Sequence, residues 1–445
     1  MIGWFNEREN PSYFTEGRSV IQRVTDLSNL SSTSGPYEIC LSTNDIEYII
    51  MPLSRLHGQF KIVKENGADM EVADDNKVAV INYLSNTMFN KINVYLENVQ
   101  VEHNSCSGYH YKALFEAMFS YDKNVKKTWL KSGLYLDDDE VTTTANEADI
   151  TETEDGDGNV LFKRAKWTNK SEVVSFSSLL HADLFGCPQL IPPSQKVKIN
   201  FFRNPDNVTL LGQEGYKIKL IDLYIEYRKV EILPSIMDDQ KSRFSDGEKL
   251  NLTYDMTDVK SWSIPAGLSG HSITLLSAGS VLPSQIILGF VRDRAFSGSL
   301  DYDPFAFRPF GVQSIKLKRD GIPYPAQEFE PKWGNANKEY PECSREYMNF
   351  QMNVGIQHGG ESNGLSFKQY RNNKNLWAWD FSPDLCNGFQ PHQPRVGKLD
   401  LDIKWSPALT DALQLICFIV YGNTGLVWSK TYGVAKVQDL QQLNN

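Results

Sequence analysis

Residues 176–203 read FSSLLHADLFGCPQLIPPSQKVKINFFR, and residues 377–405 read WAWDFSPDLCNGFQPHQPRVGKLDLDIKW. Each stretch opens on an apolar segment, passes Asp183-Leu184 or Asp384-Leu385, and reaches Gly186 or Gly388. Each then crosses a proline-rich turn, with Pro188, Pro192 and Pro193 in one and Pro391 and Pro394 in the other. In the first, Val197, Ile199 and Phe201 alternate with Lys196, Lys198 and Asn200; in the second, Leu399, Leu401 and Ile403 alternate with Lys398, Asp400, Asp402 and Lys404. A period of two is what a strand needs when one face meets a core and the other meets water. Asn204-Pro205 and Ser406-Pro407 follow, and then a second, more evenly apolar strand at 217–229 and at 412–421. Strands of that kind read as covered on both faces. A recurrence at about two hundred residues is too long for a solenoid and fits a duplicated domain.

The 445 residues carry a net charge of -10. That balance, with no basic tail, argues against a surface that neutralises phosphates and so against sequence-specific nucleic-acid binding. Six cysteines (Cys40, Cys106, Cys187, Cys343, Cys386, Cys417) show no CxxC spacing, and the start MIGWFNEREN lacks a charged-then-apolar signal region. Both features point to reduced thiols in a chain made in the cytosol. The sequons at Asn29, Asn169, Asn207 and Asn251 are then chance matches. No apolar run is long enough to span a bilayer.

In chain order, residues 1–36 show little periodicity and read as an N-terminal arm. Strands are expected at 37–42 and 47–63, and 78–102 reads as a hairpin of β-branched and aromatic residues with a tight turn at Ser85-Asn86-Thr87 and a second turn at Glu97-Asn98. In 109–131, Leu114, Ala117, Met118, Tyr121 and Val125 recur at three and four residues, which predicts short amphipathic helices capping the open end of a sandwich. Residues 137–159 form a long acidic loop. Its Asp155-Gly156-Asp157-Gly158-Asn159 invites a calcium reading, but the glycine position holds Val160 and the twelfth holds Lys166, so a solvated turn is the better reading. The first unit is placed at 37–232, a polar linker at 233–249, a second unit at 250–434 and a C-terminal tail at 435–445. Within the second unit, strands are expected at 250–256, 260–264, 283–292, 313–318 and 350–357.

No catalytic, cofactor-binding or metal site is assigned. His181 and Asp183 share one face of an extended segment, yet no third ligand is spaced nearby. Asp380 and Asp384 are candidate paired carboxylates for glycoside hydrolysis, although Asp384 matches Asp183 across the repeat, as a structural residue at a turn would. The loop 296–310, with Phe296, Tyr302, Phe305, Phe307 and Phe310, reads as packing between halves or subunits before stacking of sugars or bases. No phosphate-binding loop, nucleophile elbow or HExxH motif is present.

Several segments resemble a known family. Residues 80–97 (VINYLSNTMFNKINVYLE) with 109–116 (YHYKALFE), then LHADLF at 180–185, resemble the double jelly-roll major capsid proteins of Polinton (Maverick) elements and adintoviruses. In the second half, LPSQIILGFV at 282–291, AFSGS at 295–299, DPFAF at 303–307, GKLDL at 397–401 and Tyr421-Gly422 are similar in the same order. Asn98 stands where a glycine is usual, and the acidic loop is unmatched. The resemblance implies an all-β fold of two tandem eight-stranded jelly rolls with short helices in the loops. It also implies a homotrimer forming a pseudo-hexagonal capsomer, capsomers tiling an icosahedral shell, a vertex penton protein as partner, and the virion as location. The contrasting reading is a two-domain jelly-roll protein that binds or processes glycans, with Asp380, Asp384 and the aromatic loop as its site.

Overall fold

In the computed structural model, the described residues are 14–25, 30, 35–101, 107–136, 150, 159–333, 343–354, 363–383, 393–429 and 433–436. The first set of strands is β1 (Phe14–Arg23), β2 (Tyr37–Ser42), β3 (Glu47–Lys64), β4 (Val78–Val80), β5 (Phe89–Leu96), β6 (Val99–Gln100), β7 (Val174–Leu179), β8 (Lys196–Arg203), β9 (Leu210–Gly212) and β10 (Tyr216–Ile232). The second is β11 (Leu250–Ile264), β12 (Gly270–Val281), β13 (Gln285–Arg292), β14 (Val312–Arg319), β15 (Ile322–Pro323), β16 (Leu376–Asp380), β17 (Val396–Trp405), β18 (Leu413–Ser429) and β19 (Gly433–Lys436).

Short helices fill the connections. α1 (Leu84–Thr87) precedes β5, while α2 (Tyr109–Phe119), α3 (Lys123–Lys127) and α4 (Val160–Lys166) lie between β6 and β7. α5 (Asp206–Thr209) follows β8, α6 (Pro234–Ser245) joins the halves, and α7 (Asp293–Ser297) follows β13. α8 (Ser344–Asn353) and α9 (Phe367–Asn372) lie between β15 and β16.

The first half pairs its strands in the orders β1-β10-β3-β7 and β2-β8-β5-β6; the second uses β11-β18-β13-β16 and β12-β17-β14-β15. Replacing each strand of the first half by its counterpart in the second reproduces both sheets, in sheet order and in chain order. The duplication read from 176–203 and 377–405 therefore extends to all eight of these strands in each half, while the β4–β9 pair of the first half and β19, which pairs with β18, have no counterpart among the described residues. All these pairings are antiparallel. Two facing four-stranded sheets with this connectivity make a jelly roll, and the chain is two of them in tandem.

The alternation that announced β8 and β17 holds. Val197, Ile199 and Phe201, like Leu399, Leu401 and Ile403, are buried, and the residues between them are not. Each such side chain contributes about 1.5–3 kcal/mol on leaving water. β18 is buried on both faces from Leu413 to Ile419: Leu415, Cys417 and Ile419 join the second roll's core, while Ile416 and Phe418 join a cluster continuous with the first roll. β10 departs from the same expectation. Its inward face holds Leu223, Ile225 and Tyr227, but Asp222, Tyr224 and Glu226 stay partly exposed, so its outer face meets solvent.

Other expectations are corrected. β1 lies inside the residues read as an arm, yet it is hydrogen-bonded along β10 from Phe14 to Arg23 as an edge strand of the first sheet. With Phe14 to Ser19 exposed on both faces and Gly17 in its middle, it offers no apolar period to read. In the segment read as 78–102, the second turn expected at Glu97-Asn98 closes the hairpin β5–β6, but the first part differs: β4 pairs with β9, and Ser85-Asn86-Thr87 forms the helical turn α1. Residues expected as strands at 250–256 and 260–264 are the single strand β11. The linker is largely the helix α6, started by Pro234 at its first turn. Where a strand was expected at 350–357, residues 350–353 are the end of α8, in which Glu346 and Phe350, four apart, take the buried face; 355–357 lie outside the described residues. α2 does not cap an open sandwich; it lies between the two rolls.

Candidate functional site

The seam between the rolls is where most of the weighed residues meet. α2 is carried in the long connection between β6 and β7 and is buried nearly all round, from Tyr109 to Phe115 and at Ala117 and Met118. Tyr111 and Phe115, one helical turn apart, turn towards the second half. The Tyr111 ring lies 6.2 Å from Phe296, 5.6 Å from Phe305 and 6.2 Å from Phe307; Phe115 lies 5.2 Å from Phe307 and 5.9 Å from Phe418. Edge-to-face and offset rings at these separations add to the burial of their area. The aromatic loop thus packs between halves of one chain. Its remaining rings, Tyr302 and Phe310, flank the Arg292 guanidinium at 4.9 and 5.8 Å.

A polar network runs through the same seam. The Lys112 ammonium is paired with the Asp183 carboxylate, and both side chains are nearly dry at 3% and 1% exposure. Asp183 also accepts from the backbone N–H of Thr257 at 3.0 Å and from its hydroxyl at 2.7 Å. Thr257 belongs to β11, so one carboxylate of the first roll binds the edge strand of the second. Lys112 has Glu116 at 3.9 Å. His181 is held by Glu116 at 2.7 Å through Nδ1 and by the Tyr83 hydroxyl at 2.8 Å through Nε2. The Tyr109 hydroxyl accepts from the His181 backbone N–H at 3.0 Å and donates to Asn86 at 2.7 Å. Gln189 adds a second tie, accepting from the Thr253 N–H at 3.2 Å.

This arrangement bears on the chemistries weighed for it. A cleft of about 520 Å³ is lined by Lys112, Glu116, His181, Asp183 and Thr257 among others. Both ring nitrogens of His181 are hydrogen-bonded, which leaves no lone pair for a metal, and no group of three or more His, Cys, Asp or Glu side chains gathers as a metal set among the described residues. His181 and Asp183 do come together, as parts of an inter-roll staple. The partners that sequence reasoning missed are Lys112, Glu116 and Thr257. The signal available was a lysine and a glutamate four apart inside an otherwise apolar helix, a pair usually read as a solvated face.

Asp380 is buried and accepts from the backbone N–H of Ser382 at 2.7 Å and from the Ser382 hydroxyl, a local turn rather than an open acid. Asp384 lies outside the described residues, as do 137–149 and 151–158 of the acidic loop. At its end, Asn159 caps α4 by accepting from the Phe162 N–H at 2.8 Å, so Val160 and Lys166 are helical. Cys40, Cys187, Cys343 and Cys417 are free thiols; Cys106 and Cys386 fall outside the described residues. Burial pushes the Cys187 and Cys343 thiols up to about 11, away from reactivity. No described helix is long and apolar enough to cross a membrane.

Comparison with known proteins places this geometry. No family profile matches the chain. An uncharacterized Caenorhabditis elegans protein, F54H12.2, is 24% identical over 374 residues, covering 81% of this chain and 83% of the other. Among solved structures, the Sputnik virophage aligns over 96% of this chain and 89% of that chain, with a TM-score of 0.56 at 9% identity. The PBCV-1 virus capsid aligns over 97% and 99%, with a TM-score of 0.54 at 9% identity. The mavirus major capsid protein aligns over 94% and 89%, with a TM-score of 0.50 at 9% identity. The chain has the double jelly-roll fold that these viral capsid structures share.

Proposed function

We propose that the chain is a structural, non-enzymatic major capsid protein whose working surfaces are contacts with further copies of itself. In this reading three copies form a pseudo-hexagonal capsomer, capsomers tile an icosahedral shell, and a separate penton protein fills the vertices. The chain would be made in the host cytoplasm and reside in the virion. The sequence resemblance favours a Polinton (Maverick) element or an adintovirus as its source.

The observation that carries this reading is the seam. Two topologically equivalent rolls are locked by a buried helix, an aromatic cluster and the Lys112–Asp183–Thr257 staple. Domains that move on one another need a small, polar interface, whereas here the buried helix and aromatic cluster beside the cleft are continuous with the core. Rigid fusion of two like wedges is what a closed ring of six units from three chains requires. Size-exclusion chromatography with light scattering tests it: the expected mass is about three times the 50.6 kDa chain. A clean monomer that binds or cleaves glycans would overturn the proposal.

A further inference from the structure

The duplication makes corresponding surfaces of the two rolls comparable residue by residue. Phe176 and Trp377, matched in the repeat, pair with Gly58 and Leu288, which pair in turn with Leu223 and Cys417. Counting from there through the strand registers, Tyr224 corresponds to Phe418, His57 to Ile287, Arg23 to Val259 and Ile21 to Thr257.

In the second roll every one of those positions is covered by the first. Phe418 meets Phe115, and Thr257 binds Asp183. Val259 lies against Gly108, where an added Cβ would approach it to 2.9 Å, and Ile287 joins the cluster that holds α2. In the first roll the same face is partly exposed among the described residues, with Tyr224 and His57 half-buried. Ile21 is 56% exposed there, beside Tyr224 stacked on His57 with centroids 5.0 Å apart.

The element that covers the second roll comes from the connection between the sixth and seventh strands of the first. The second roll has a helical connection at the same topological place, carrying α8. That helix presents Met348 and Met352, four apart and 56% and 50% exposed, as an outward apolar stripe. We propose that α8 of a second copy of this chain docks on the partly exposed outer face of β1-β10-β3, around Ile21, Tyr224 and His57, repeating between chains the contact that α2 makes within one. The proposal rests on the capsomer reading and specifies its interface.

Three features favour this occupant. The contact is heterologous: the helix of one unit covers the face of the next, so it does not stop at a dimer and forms a ring when the rotation between units closes. The charges on the receiving face are already neutralised in place, Arg23 by Asp222 and Arg55 by Glu226, with His57 3.3 Å from Glu226, so covering them strands no lone charge. Exposed apolar side chains, otherwise without a role, stand on both surfaces. The receiving face is more polar than its buried counterpart, as suits a surface that must stay soluble until copies meet.

The test uses the full chain. Met348→Glu with Met352→Glu alters only exposed side chains, so its circular dichroism and thermal melt should match the parent while its light-scattering mass falls about threefold from that of the trimer. In parallel, p-benzoylphenylalanine at Tyr224, irradiated in a mixture of isotopically light and heavy chains, should give light–heavy cross-links to the α8 peptide. A monomeric parent chain overturns the capsomer reading and this interface with it. A trimeric parent whose mass survives the double variant, or whose cross-links from Tyr224 fall elsewhere, overturns the interface alone.

Discussion

Asp183→Ala removes the carboxylate at the centre of the seam. Asp183 accepts one charge-assisted hydrogen bond from Lys112 and two from Thr257, all in a nearly dry site. The charged bond from Lys112 contributes about 1.5–3 kcal/mol and each bond from Thr257, counted as neutral, about 0.5–1.5 kcal/mol, so the three together amount to roughly 2.5–6 kcal/mol. That range includes the usual cost of breaking a buried ion pair, because the surviving charge stays buried without its partner. Lys112→Met should cost a comparable amount by orphaning Asp183 instead. The double variant Lys112→Met, Asp183→Ala removes both charges and should cost less than the two single changes added, with a coupling energy on the order of 2 kcal/mol. Urea denaturation followed by intrinsic fluorescence gives the three values. A cost below about 1 kcal/mol for Asp183→Ala, or strict additivity in the double variant, would refute the staple.

Two further predictions follow from the seam and its helix. An added Cβ at Gly289 would lie 2.5 Å from Leu376 Cδ2 and 2.6 Å from Phe307 Cδ1, so Gly289→Ala should destabilise by about 1–3 kcal/mol of overpacking, and an unchanged urea midpoint would count against the close packing described. His110 is buried, which pushes its imidazole down to about 3, so the folded protein holds it neutral while the unfolded chain protonates it below about pH 6.5. Its contribution is fully present above that pH and is lost as pH falls towards 3, at about 1.4 kcal/mol per pH unit. His110→Phe should therefore flatten the loss of stability between pH 6 and 4 in paired urea titrations, and parallel curves for the two proteins would exclude the buried neutral ring.

The legible parts of the fold were those in which one face of an element meets water. In β8 and β17 the lysines and aspartates mark the outer face as plainly as the aliphatics mark the inner one, and this was enough to reveal the duplication. β1 and β12 were invisible for the opposite reason. β1 is held by its ladder to β10, not by an apolar period, and β12 carries register shifts after Thr274 and after Leu276 that break its alternation. α8 was misread because Phe350, Met352, Val354 and Ile356 alternate over a short run, which mimics a strand; the helix buries Phe350 and leaves Met352 exposed.

α2 shows why the candidate site was only half readable. Its apolar period correctly gave a helix, but period alone cannot say that a second roll lies on the far side. Lys112 and Glu116 gave no local sign that they face Asp183 and His181, which are 71 and 65 residues further along the chain. β10 and β18 make the same point in reverse: matching strands of a repeat differ in outer face because one is covered within the chain and the other is not. That difference is set by tertiary context and is not carried by the repeat itself.

Electron microscopy of the purified full-length chain addresses the central claim most directly. End-on class averages should show six similar lobes around a centre, two from each of three chains, with the lobes alternating slightly in shape. Isolated two-lobed particles, or rings with any other number of lobes, would contradict the account.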